Sequence, residues 1–322
     1  MKEIKIGKNE AGKRLDGFLK AYFPNASMGF IYKMFRKKNI TLNGKKASGT
    51  EKLISGDVIA VYFADETFDK FKGSNNISRN FGALKELGNL PIIYEDDNIL
   101  LINKPAGVLT QKSKATDISL NDYLIEYLLQ KGEITEKQLE TYKPSVCNRL
   151  DRNTSGLVIC AKSLPGARCM NELLDKRTVD KYYRTIVSGK IDTSLQLKGF
   201  LRKNEQKNKV YISEKDPKDP DYSYIETYYK PVSYNREQDL SMLEVKLITG
   251  KPHQIRAHLA SIGNPIVGDV KYGGPKFHGV CSQLLHSYRL CFPKDLTGDF
   301  GVIAGREFIA ELPEVFLKYF PK

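Results

Sequence analysis

Asn148-Arg149-Leu150-Asp151-Arg152-Asn153-Thr154-Ser155-Gly156 runs directly into Leu157-Val158-Ile159-Cys160-Ala161, and the reading of the chain turns on this stretch. The first part carries one carboxylate among hydroxyls, an amide and a glycine, residue types that favour turns and local backbone hydrogen bonds. The second is a short, continuous apolar run with the character of a buried strand. A carboxylate on a loop braced by a strand is placed for chemistry, whereas the same residues also suit an aspartate that only caps a turn. The tripeptide Arg-Leu-Asp occurs earlier too, at Arg14 to Asp16. There Leu15, Phe18, Leu19 and Tyr22 follow helical spacing, so Asp16 reads as an ordinary acid in a first helical turn.

Asn148 to Lys162 resembles the active-site signature of the RluA-type pseudouridine synthases, His-Arg-Leu-Asp-x-x-Thr-Ser-Gly-Leu followed by a strand ending in Ala-Lys. Three further segments resemble the family's other motifs in order. They are Ile92 to Asp97 with Asn103-Lys104-Pro105-Ala106-Gly107; Lys181-Tyr182-Tyr183-Arg184-Thr185 with Val187 and Gly189; and Thr249 to Leu259 with Gly263 to Asp269. The likeness spans roughly residues 90 to 290, and four ordered matches weigh far more than one. It implies Asp151 as the catalytic carboxylate, Tyr183 as the active-site tyrosine and Arg256 as the arginine that binds Asp151. Two positions depart from the pattern: Asn148 stands where the family has histidine, and Lys251 where it has arginine after Thr-Gly. Asn148 cannot carry a proton as histidine can.

The implied fold is α+β, a mixed and mainly antiparallel sheet over residues 89–322. Residues 1–64 before it resemble a small S4 RNA-binding domain, and 65–88 read as a linker. The first 64 residues hold 13 lysines and arginines against 5 aspartates and glutamates, which is most of the formal net charge of +13. Such a surplus suits a polyanion. Ser27 is placed to cap a helix bearing Ile31, Met34 and Phe35, with Lys33, Arg36, Lys37 and Lys38 as a basic cluster on it or just beyond. Asn43-Gly44 reads as a hairpin turn. Asp65 to Asn80 is charged and aperiodic, and Phe81 to Leu87 suggests a short helical turn. Further on, Leu120, Tyr123, Leu124, Tyr127 and Leu128 mark an amphipathic helix. Another starts near Gln254, with Ile255, Leu259 and Ile262 on its apolar face and Arg256 off it, where an arginine would ordinarily be a surface residue. Tyr224 to Tyr229 and Leu240 to Ile248 read as neighbouring strands, and Lys203 to Asp221 as a charged, exposed hairpin or loop.

The five cysteines, Cys147, Cys160, Cys169, Cys281 and Cys291, are odd in number and lack a Cys-x-x-Cys pair, which argues against a disulfide framework or a zinc ribbon. A reducing cytoplasm is expected, with no membrane span, no protein partner and a monomeric state. Pseudouridine formation breaks the C1′–N1 bond, turns the uracil and joins C1′ to C5. It is redox-neutral, so no cofactor and no metal are expected. By the resemblance, Asp151 attacks C1′ or assists proton loss at C2′, Tyr183 stacks on the base, and Arg149 fills the place of the extruded nucleotide. Arg152 and Lys251 are candidate phosphate contacts. His253 reads as a scaffold residue, His258 as packed or hydrogen-bonded, and Lys104-Pro105 as the floor of the site. The expected substrate is RNA, most like the large-subunit (23S) ribosomal RNA modified by enzymes of the RluC and RluD type. Two other readings are a catalytically idle RNA-binding or ribosome-assembly protein, and a glycoside hydrolase. The latter needs a second carboxylate about 5 Å or more from the first. Asp269 is the best candidate for it, and reads better as a turn residue.

Overall fold

Apolar side chains at Leu15, Phe18, Leu19 and Tyr22 wind into α1 (Leu15–Tyr22), and all four are buried. The computed structural model describes residues 1–7, 9–72, 82–136, 138–277, 279–280 and 282–320. Ser27 starts α2 (Met28–Arg36) by accepting a hydrogen bond from the Phe30 N–H at 3.2 Å. Lys33 and Arg36, with Lys37 and Lys38 just beyond, are exposed. Asn43 and Gly44, with φ of 50° and 73°, turn β2 (Ile40–Leu42) into β3 (Lys45–Lys46). Together with β1 (Lys2–Lys5) and β4 (Val58–Val61) these strands form an antiparallel sheet in the order β1-β4-β2-β3.

The segment expected to be a linker departs from that expectation at its start. Asp65 to Lys72 forms a helix, α3, that belongs to the N-terminal core. Two aromatics three positions apart cause this: Phe68 packs edge-on against Phe23 at 5.1 Å between ring centroids, and Phe71 lies 4.2 Å from Phe30. The charged residues between them hide that pair from a composition-based reading. Residues 73–81, which include Phe81 and the rest of the expected linker up to Asn80, lie outside the described residues. After them comes α4 (Ala83–Leu87), whose first N–H groups, with that of Gly82, are capped by the Glu126 carboxylate at 2.7 to 3.0 Å.

The larger sheet collects β5 (Ile92–Glu95), β6 (Ile99–Lys104), β7 (Ser145–Val146), β8 (Ser155–Ala161), β9 (Asp180–Ser188), β10 (Leu195–Asn204), β11 (Lys209–Ser213), β12 (Ser223–Asn235), β13 (Leu240–Leu247), β14 (Leu285–Cys291) and β15 (Glu307–Ile309). Its path is β11-β10-β12-β13-β9-β14-β8-β6-β5, with β15 on β14 and β7 on β8. Among the described residues every pairing is antiparallel except β8 with β14. The helices α5 (Leu120–Gln130), α6 (Leu164–Asp175), α7 (Gln254–Ser261) and α8 (Glu314–Leu317) complete this part. α5 opens with a capping box of Ser119 and Asp122, and β12 and β13 are the neighbouring strands read from the sequence. The Lys203 to Asp221 segment contains the turn of the β10–β11 hairpin, with an exposed tip.

β8 is buried at all seven positions because apolar clusters lie on both of its faces. Its entry against β14 is tight: Gly156 has φ +109°, and a Cβ there would stand 2.2 Å from the Ser287 carbonyl oxygen. The two parts of the chain touch. The Thr141 carbonyl accepts from Lys13 Nζ at 2.5 Å, its hydroxyl donates to Glu10, the Leu164 N–H donates to Asn9 at 3.3 Å, and Lys72 pairs with Glu140 at 3.4 Å. Cys147, Cys160, Cys169 and Cys291 are free, and Cys281 lies outside the described residues. No described helix is long and apolar enough to cross a membrane.

Candidate active site

Asp151 sits in the loop just before β8, and the loop is held from three sides. The Thr154 N–H donates to the Asp151 carbonyl at 3.0 Å, closing the turn. Thr110 donates through Oγ1 to the Leu150 carbonyl at 2.9 Å and accepts from the Leu150 N–H at 3.2 Å. Lys104, fully buried at the end of β6, donates from Nζ to the carbonyls of Pro105, Val108 and Arg152 at 3.0, 2.9 and 3.0 Å. Burial pulls this ammonium down to about 7 against the opposing pull of the Asp151 charge, while the three carbonyls accept all its donors. Arg152 is exposed and donates from Nε to the Gly107 carbonyl at 2.9 Å, so it braces the loop too. Asn148 accepts the Ile159 N–H at 2.7 Å through its side-chain oxygen, which anchors this departure from the family pattern to β8.

The opposite wall is α7. Its entry residue, His253, has φ +54°, and the buried Gln254 ties the helix start to β12 through the Glu226 carbonyl at 3.0 Å and Thr227 Oγ1 at 2.8 Å. Arg256 is buried, contrary to the expectation of a residue off the apolar face. α7 buries Gln254 through Leu259 all round, and Ile262, expected on the apolar face, is 38% exposed. A buried guanidinium needs more than one anion for its five donors. Arg256 Nη1 donates to Asp151 Oδ2 at 2.8 Å, while Nε and Nη2 clasp Asp269 at 2.6 and 2.8 Å. Burial opposes the charge, but the hydrogen bonds and charge of Asp269, helped by Asp151, raise its affinity for the proton further. Asp269 stands at a turn, as expected, its N–H donating to the Ile266 carbonyl at 3.0 Å; beyond that it is a buried counter-ion that shares this guanidinium with Asp151.

Two residues complete the fastening. The Arg256 guanidinium lies 5.1 Å from the centroid of the Tyr272 ring, and the Tyr272 hydroxyl is 2.9 Å from His253 Nδ1. That hydroxyl already accepts from the Val210 N–H, so its own proton is available to Nδ1. His253 Nε2 then faces Asp151 Oδ2 at 3.8 Å. Burial lowers the proton affinity of His253 against the pull of Asp151, and the positive charge of Arg256 lowers it further. Tyr272 was missed in the sequence, where nothing in its spacing marks it.

Tyr183 projects from β9 into the same cleft and is 6% exposed. Burial, with the Asp151 charge adding, pushes its phenol up to about 12, so it is a neutral hydroxyl at ordinary pH. The cleft has a volume of about 830 Å³ and is lined by Asp151, Tyr183, Arg256, Arg149, Arg152 and Lys251 among others. Arg149 and Lys251 are exposed. Lys33, Arg36, Lys37 and Lys38 are on the N-terminal sheet domain and do not line it. His258 is packed against β12, with Nδ1 3.1 Å from Thr227 Oγ1. The described residues hold no cluster of side chains able to bind a metal ion. Asp151 Oδ1 has no partner among the described residues, and its side chain is 28% exposed. The arrangement therefore offers one free carboxylate oxygen in a cleft, held by its twin. Such a group can act as a nucleophile or as a base.

Residues 98–261 match the RNA pseudouridylate synthase family. The chain is 33% identical over 284 residues to an uncharacterised RNA pseudouridine synthase of Mycoplasma capricolum subsp. capricolum, covering 86% of each. It is 31% identical over 293 residues to the ribosomal large subunit pseudouridine synthase C of Rickettsia bellii, covering 88% of this chain and 91% of the other. The solved structure of human RNA pseudouridylate synthase domain containing 4 superimposes with a TM-score of 0.54 at 21% identity, over 70% of this chain and 90% of that one, which is a likeness of fold. The chain thus belongs to the RNA pseudouridine synthase family, and is an isomerase with that family's fold.

Proposed function

We propose that Asp151 is the catalytic carboxylate of this synthase and that its substrate is large-subunit ribosomal RNA. The observation that carries the first part is the free Oδ1 of Asp151 beside an Oδ2 tied to Arg256. With one oxygen tethered, the other keeps a defined direction in the cleft, which is what attack on a ribose carbon or removal of its proton requires. In the first route Asp151 forms a bond to C1′ as the C1′–N1 bond breaks, and the uracil turns and displaces it through C5. In the second it takes the C2′ proton as the C1′–N1 bond breaks, giving a glycal, and the turned uracil then joins C1′ through C5 while the proton returns to C2′. Both end with the C5 proton lost and N1 protonated, so no electrons are exchanged. Tyr183 stacks on the base and offers its hydroxyl as a hydrogen-bond partner. Arg149, whose guanidinium has no partner among the described residues, fills the stack left by the extruded nucleotide.

The choice of RNA rests on the relatives named for the ribosomal large subunit and on the basic surplus of residues 1–64. Lys33, Arg36, Lys37 and Lys38 stand exposed at the end of a capped helix beside a hairpin, which favours reading that part as an S4-like RNA-binding domain. A ribosomal substrate places the enzyme in the cytoplasm. Mapping pseudouridine in ribosomal RNA from cells with and without the protein tests the substrate. Asp151→Asn should abolish isomerisation while leaving RNA affinity within about threefold, because only a side-chain charge at the floor of the cleft changes. Wild-type turnover by that variant would remove Asp151 from its role.

A further inference from the structure

The cations of the cleft fall into two sets. Arg256 is paired with two carboxylates, Lys104 gives its three donors to carbonyls, and Arg152 has given Nε to Gly107. Leu174, Lys181 and Gly250 also line the cleft, and Lys181 has no ion pair or hydrogen bond from its side chain among the described residues. Lys181 is on β9 two residues before Tyr183, so both side chains leave the same face of the strand, about 7 Å apart along it. That is close to the span of one nucleotide of extended backbone. The Lys181 stem is partly buried, and Nζ lies beside the backbone of Gly250, 3.8 Å from where a Cβ would stand. Arg177, exposed just beyond the end of α6, donates its N–H to the carbonyl of Leu174, a residue of the cleft lining, at 3.2 Å, and its side chain also has no counter-ion among the described residues.

Two unpaired cations at one part of a cleft, one of them partly withdrawn from water, are unfavourable without an anion. Burial, followed by the repulsion of Arg177, lowers the proton affinity of Lys181, in keeping with its lack of a partner among the described residues. A uracil carbonyl is neutral and would leave the repulsion in place, whereas a phosphodiester would cancel it. We propose that Lys181 and Arg177 jointly hold one phosphate of the RNA backbone next to the extruded uridine, at a subsite separate from Asp151. The inference rests on the reading of this cleft as the RNA site. It assigns to the two residues a task of anchoring the strand rather than of chemistry.

For every phosphate that the protein ceases to neutralise, the slope of log affinity against log salt should fall by about 0.7 to 0.9. Equilibrium binding of unmodified, transcribed large-subunit ribosomal RNA is measured across a salt series in the Asp151→Asn background, so that no turnover intervenes. Lys181→Met, which keeps the apolar stem, should weaken binding about tenfold at moderate salt and reduce the slope by nearly one unit. Lys181→Arg should retain both. Arg177→Gln, at an exposed site with no fold to disturb, should reduce the slope as well. The double variant should lose no more slope than one shared phosphate accounts for. An unchanged slope in Arg177→Gln together with an unchanged slope or a failure to fold in Lys181→Met overturns the proposal. If instead Asp151→Asn proves active while the slopes fall as stated, the catalytic assignment fails and the phosphate subsite stands.

Discussion

One arginine joins two carboxylates here, and the partners are not equivalent. Asp151 is 28% exposed and keeps an oxygen free, while Asp269 is 1% exposed and gives both oxygens to Arg256. Asp269 is thus a positioning residue: it holds the guanidinium so that Nη1 meets Asp151 in one orientation. Asp269→Asn should keep RNA affinity nearly unchanged and lower single-turnover isomerisation by about 10²-fold, the effect of misplacing a reacting group by about an ångström. Equal single-turnover rates would refute this. Asp269→Ala should also cost about 3–5 kcal/mol of stability in a urea titration, because it leaves a buried charge half-paired. The earlier Arg-Leu-Asp shows why the tripeptide alone decides nothing. Asp16 accepts from Arg14, from the Tyr32 hydroxyl and from the Gly17 N–H at 2.7 Å each, and those bonds, Arg14 first, hold its carboxyl down to about 2. It is bound by three partners and does not line the cleft that holds Asp151.

At the level of elements, two histidines sit at joints of the catalytic part and both are held neutral. His286 on β14 accepts from Ser155 Oγ at Nδ1, 2.8 Å away, when Nε2 donates to the Ala310 carbonyl at 3.2 Å. This couples the start of β8, next to the Asp151 loop, to β14. His258 joins α7 to β12, and its Nε2 is buried without a partner. Burial lowers each to about 4. The folded values lie below the ordinary histidine value near 6.5, so between about 4 and 6.5 the unfolded chain binds more protons than the folded one. Stability therefore falls as pH falls through that window. From pH 7 to pH 5 each should withdraw roughly 2 kcal/mol, and His286→Gln should flatten its share of the loss in denaturant titrations at the two pH values. Parallel curves for wild type and variant would contradict the assignment.

Over the whole molecule, the basic N-terminal part and the part that holds the cleft have separate hydrophobic cores and meet through polar contacts at Thr141, Glu140 and Leu164. Since α3 packs on the first core, a cut that respects the structure falls after Lys72 rather than after residue 64. Removing residues 1–72 should weaken binding to ribosomal RNA and flatten its salt dependence, with a smaller change in the turnover of bound RNA. Unaltered binding by the truncated chain would show that the basic surface has another purpose.

Read in order, the residues alone were enough to mark the Asp151 loop and the strand behind it, the hairpin at Asn43-Gly44, the Ser27 cap, and the charge imbalance between the two parts of the chain. Each depends on neighbours within a few positions, where spacing and residue type carry the information. The tertiary structure alone decided that Asp269 and Tyr272 belong to the site, that Arg256 is buried, that His253 faces the carboxylate, and that Phe68 draws a charged segment into a core. Asp151 and Arg256 are 105 positions apart, and the burial that makes a second anion necessary arises only when α7 is closed in on all sides by the sheet and its loops. Local pattern records what a residue can do; desolvation, which fixes what it must pair with, exists only once distant segments have met.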